Sequence, residues 1–114
     1  MSFAGGGEGD FSARRRHLDA IERARAALTH DIDDFVDTLH RRFAEIESTT
    51  GRPGLVVAAY DTELFGHWWF EGPQFLEDLL CRMADSPDRI VAVTPTEALD
   101  RHPACQLVQP AASS

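Results

Sequence analysis

Leu55-Val56-Val57-Ala58-Ala59-Tyr60 is the stretch on which the fold of this chain turns. It is a continuous apolar run with β-branched residues and no charge, the pattern of a strand buried on both faces of a parallel sheet. Upstream, Leu18, Ile21, Leu28, Ile32, Phe35, Leu39, Phe43 and Ile46 recur at steps of three, four or seven among charged residues. That spacing predicts one long amphipathic helix over residues 12–48, or two joined near Thr29-His30. Gly51-Arg52-Pro53-Gly54 ends it. Downstream, Gly72-Pro73 opens a helix with Leu76, Leu79, Leu80 and Met83 on its apolar stripe, and Asp85-Ser86-Pro87-Asp88 closes it. Ile90-Val91-Ala92-Val93 reads as a second buried strand. Thr94-Pro95-Thr96-Glu97 resembles a capping box with proline just inside, starting a short helix that stops before Pro103. Gln106-Leu107-Val108-Gln109 reads as the start of a third strand. Parallel strands need a crossover of a dozen or more residues, and the intervening helix supplies one. The expected class is therefore α/β: a long N-terminal helix plus a βαβ unit. Two or three strands neither close a barrel nor cover a sheet, so the chain reads as part of a larger fold.

Composition narrows the function classes. At 114 residues there is at most one domain, and 43% apolar residues suffice for a core. A formal charge of −8 argues against nucleic acid as the main partner, because phosphate binding needs a cationic footprint. Arg14-Arg15-Arg16 reads as a solvated helix face. All eleven basic residues are arginine, so neither a phosphate loop of the Walker kind nor a Schiff-base lysine exists. Gly5-Gly6-Gly7-Glu8-Gly9 fits a flexible tail, taken as residues 1–11. Cys81 and Cys105 lack a C-x-x-C arrangement and do not suggest a secreted disulfide scaffold. No apolar stretch approaches 18 residues and no signal-peptide core is present, so the expected location is the cytoplasm, without membrane contact.

Chemistry concentrates in residues 58–72, Ala-Ala-Tyr-Asp-Thr-Glu-Leu-Phe-Gly-His-Trp-Trp-Phe-Glu-Gly. Both tryptophans and the single tyrosine of the chain lie here. In parallel α/β folds, ligands bind at the carboxyl ends of strands, which is where Asp61 falls. Continued strand geometry places Asp61 and Glu63 on one face. A carboxyl group there suits general acid catalysis toward a leaving oxygen. Trp68, Trp69 and Phe70 offer stiff faces for the C–H side of a sugar ring, and His67 can donate to a hydroxyl. Plainer readings stand beside this one. The aromatics can be core under the next helix, the acids solvated strand-end residues, and His67 a structural hydrogen-bonding residue. Asp61, Glu63 and His67 are also ordinary ligands for a divalent metal.

The run from Tyr60 to Pro73, with Gly66-His67-Trp68-Trp69 at its centre, closely resembles a signature of glycoside hydrolase family 57, most of all its α-1,4-glucan branching enzyme subgroup. Residues 90–97 resemble the family's next strand and its Thr-Pro-Ser-Glu-like start, and the similarity covers roughly residues 12–114. The resemblance implies a distorted (β/α)7 barrel, of which residues 12–114 form a segment, and a retaining mechanism on α-glucans with no cofactor and no metal. By it, Asp61 matches the general acid/base, and Glu63, His67, Trp68 and Trp69 match substrate-binding residues. The family's nucleophile, a Glu on an earlier strand, and a His-Gln-Pro-like triplet have no counterpart here. Retaining chemistry needs two carboxyl groups about 5–5.5 Å apart. The expectation is thus the acid/base-bearing segment of a branching enzyme, inactive alone. It is either a split subunit whose partner is the missing barrel portion as a separate chain, or a truncated frame. The competing classes are a non-catalytic α-glucan-binding or interaction module and a degenerate gene fragment.

Overall fold

The computed structural model describes residues 8–85, 90–103 and 106–112. Residues 1–7 of the expected tail, residues 86–88 of the expected helix stop, and Cys105 lie outside that range. The described elements are α1 (Glu8–Thr50), an irregular turn segment, α2 (Gly72–Asp85) and α3 (Pro95–Arg101). The chain divides into two compact units, Met1–Leu79 and Leu80–Ser114.

Helix α1 runs 43 residues and passes unbroken through Thr29-His30. No Gly or Pro interrupts residues 11–50, and Ala20, Ala24, Ala26 and Ala27 favour the helix at its middle. Leu28, Ile32 and Val36 are buried at four-residue steps, one above the other on one face. The same stripe continues upstream through Phe11, Leu18 and Ile21, where it is exposed. Local chemistry ends the helix. Gly51 adopts φ +67 and its N–H donates to the Glu47 carbonyl at 2.8 Å, an αL cap that glycine reaches without steric cost. The Thr49 and Thr50 hydroxyls donate back to the Glu45 and Ile46 carbonyls, each at 2.6 Å. Gly54 then lies against α1, so close that a Cβ there would stand 2.7 Å from Phe43 Cδ1.

In the second unit, α3 opens with the expected capping box. The Thr94 hydroxyl accepts from the Glu97 N–H at 3.3 Å, and the Glu97 carboxylate accepts from the Thr94 N–H at 2.8 Å. The bonds from Thr94 hold the Glu97 carboxyl below the usual glutamate range, with a smaller contribution from the Arg101 charge.

The α/β expectation is overturned. Residues 55–60, 90–93 and 106–109 form no strand, and the described residues contain no sheet and no βαβ unit, hence no barrel segment. A helix satisfies its backbone groups within itself, whereas a strand takes all its partners from elsewhere in the chain. The apolar run 55–60 carries the side chains of a buried strand, but among the described residues no second strand lies beside it, and Val57 is 80% exposed. Continuity of apolar residues reports a tendency toward burial. It does not supply the ladder.

Candidate functional site

The acidic-aromatic segment folds as a knot of turns that depends on no sheet. The Leu64 N–H donates to the Asp61 carbonyl at 3.0 Å, and the Phe65 N–H to the Thr62 carbonyl at 3.2 Å. Phe65 (φ −78°, ψ 110°) and Gly66 (φ 86°, ψ −10°) then take the angles of the two central residues of a type II turn. The second of these positions needs positive φ, which glycine supplies. Two bonds close the base of the loop. The Gly66 N–H donates to the Trp69 carbonyl, and the Trp69 N–H to the Leu64 carbonyl, both at 2.8 Å. The Trp69 carbonyl also accepts from the Gly72 N–H at 3.1 Å, which ties the loop to the start of α2. His67 and Trp68 are left at the tip.

A row of rings supports this knot. Tyr60 meets Phe65 at 6.1 Å, Phe65 meets Trp69 at 6.0 Å, Trp69 meets Phe75 at 4.9 Å, and Phe75 meets Phe35 of α1 at 5.8 Å. Offset and edge-on contacts of this kind add to plain burial. Gly72 is buried where the row passes over it. A Cβ there would stand 3.0 Å from Phe65 Cδ1 and 3.1 Å from Trp69 Cε3, so any larger residue would push the rings back by a few tenths of an ångström.

Asp61 and Glu63 are both exposed, and they lie in the turn rather than on one face of a strand. His67 is exposed and meets the Trp68 ring in a T-shaped contact, with centroids 5.6 Å apart and planes at 87°. Trp68 is 75% exposed. Trp69 is half-buried between Phe65 and Phe75. Phe70, next along, is 86% exposed. The sequence gives Phe65 and Gly66 a place in the signature but no structural role, whereas they fix the turn. The Phe-Gly pair ahead of His67 was the available signal, since glycine at the third place of a four-residue turn marks type II.

No three His, Cys, Asp or Glu among the described residues come together in a way that could hold a metal ion. A shallow cleft of about 290 Å³ lies elsewhere in the first unit, lined by Arg25, Leu28, Thr29, Gln74 and Asp78 and by none of the acids of the turn. No helix among the described residues is long and apolar enough to cross a membrane.

No family model matches the chain, and no solved structure matches it. Curated proteins do. The chain is 49% identical over 59 residues to a probable 1,4-alpha-glucan branching enzyme of Mycobacterium tuberculosis, a stretch covering 52% of this chain and 11% of that protein. It is 46% identical over 61 residues to the 1,4-alpha-glucan branching enzyme of Thermococcus kodakarensis, covering 54% of this chain and 8% of that protein. The chain thus spans about a tenth of the length of the relatives it matches.

Proposed function

We propose that this chain carries the proton-transferring acid and sugar platform of an α-glucan-active enzyme of the branching type. The observation that carries this reading is the tip of the turn. A largely exposed indole stands there on a backbone clamped from both sides, with two exposed carboxylates in the same turn. The similarity to branching enzymes, at 46–49% identity over about half the chain, supports the same chemistry.

In this reading Trp68 takes the apolar face of a glucose ring, as an exposed, stiff, amphipathic side chain does. Asp61 donates its proton to the glycosidic oxygen as the C1–O bond breaks, and a second carboxylate forms the bond to C1. Asp61 then takes a proton from the 6-hydroxyl of the acceptor glucan, whose oxygen displaces that carboxylate. Glu63 places a further negative charge in the turn, where it favours the cationic character that develops on the sugar. His67 and Trp69 hold the platform. The reading assigns no nucleophile to residues 1–114 and takes it from sequence outside them, whether on the same polypeptide or on a partner.

The test is branching of amylose, followed by the shift of its iodine stain. The chain alone leaves the stain unchanged. Branching by the chain alone overturns the reading, because it requires a nucleophile that the reading does not assign here. A partner polypeptide bearing the second carboxylate restores the shift, and Asp61→Asn abolishes it again.

A second reading, a glucan-binding module without catalysis, is favoured by one observation. Asp61 lies exposed on the turn and does not line the cleft, while Trp68 needs no further chain to be presented. A chain that binds glycogen yet gives no branching with any such partner polypeptide selects this reading.

A further inference from the structure

We infer that His67 is a positioning residue, which sets the Trp68 ring in place for its ligand through ring contact alone. The backbone on either side of the tip is fixed by the Gly66 and Trp69 N–H bonds, so the only freedom left there is in the two side chains. Trp69 loses its freedom to Phe65 and Phe75. Trp68, at 75% exposure, has no such packing among the described residues, and the ring contact it makes there is the T-shaped one with His67 at 5.6 Å.

An aromatic side chain held before its ligand arrives loses less freedom on binding. The His67 ring therefore raises affinity without touching the sugar. Its hydrogen-bonding nitrogens are not needed for this, but its flat ring is. The assignment extends the α-glucan reading at the same tip, and its first arm stands without that reading.

The experiment uses the Trp69→Phe background, in which Trp68 is the one remaining tryptophan. Emission anisotropy decay reports the motion of the Trp68 ring, and calorimetry with maltoheptaose reports binding. His67→Ala adds a fast component to the decay and weakens binding about three- to tenfold, while far-UV circular dichroism is unchanged. His67→Phe restores both, because it keeps a ring and lacks a hydrogen-bonding group. An unchanged decay in His67→Ala overturns the inference. So does a His67→Phe variant with a restored decay and unrestored affinity, since that identifies a direct hydrogen bond to the sugar. Absence of maltoheptaose binding in the parent, with the decay responding as stated, sinks the α-glucan reading and leaves the ring contact standing.

Discussion

Trp68 and Trp69 are neighbours in sequence with opposite surroundings, and substitutions separate their roles. Trp68→Ala changes unfolding free energy by no more than about 0.5 kcal/mol, the range for exposed positions. Trp69→Ala removes a ring wedged between Phe65 and Phe75 and costs about 2–3 kcal/mol, below the cost for a fully buried ring because Trp69 is half-buried. Urea denaturation checks both, and equal losses would contradict the assignment of one ring to ligand and the other to support. Gly66→Ala forces a side chain into left-handed backbone at φ +86 and costs about 1–2 kcal/mol. Space is not the reason, since the added Cβ would stand 3.4 Å from Pro73 Cγ, an ordinary contact. The sequence makes the richness of the tip plain, because the acids and rings crowd into one window. It hides which indole points outward. That is settled by Trp69 packing against Phe65 and Phe75 in the folded turn, a contact that composition does not carry.

The helices were legible because their causes are local. The three- and four-residue spacing of Leu28, Ile32, Phe35 and Leu39, and Thr94 three residues before Glu97, act within a few residues of where they stand. The strand at 55–60 was misread because its cause is remote. An apolar run resembles a strand whether or not a partner lies alongside. The α3 cap gives a test with a definite sign. The folded Glu97 carboxyl is held below its unfolded value by the Thr94 bonds, so its contribution is present above the ordinary glutamate range. It is lost as pH falls through that range to the lower folded value. Amide shifts of Glu97 and Ala98 should stay constant from about pH 7 to pH 5 and move toward unfolded values below about pH 4.3, the ordinary glutamate value. Thr94→Ala should move them at all pH values. Shifts that ignore acid in the parent would contradict the capping box. At the other contact between elements, Phe75→Ala removes a ring that joins Phe35 of α1 to Trp69. It should lower the midpoint of thermal unfolding and release the Trp68 tip with it.

For the whole molecule, the chain matches about a tenth of the length of the branching enzymes it is similar to, and it carries a charge of −8. The turn of residues 61–72 is nevertheless held by its own hydrogen bonds and by rings from α1 and α2, so the platform proposed for a glucan is presented by these residues themselves. Catalysis needs a second carboxylate and is a different claim. Migration through native gels containing glycogen tests the central claim most directly. The unsubstituted chain and Asp61→Asn should both be retarded relative to a gel without glycogen, and Trp68→Ala should run free. Equal migration of all three, or retardation that survives Trp68→Ala, would contradict the account.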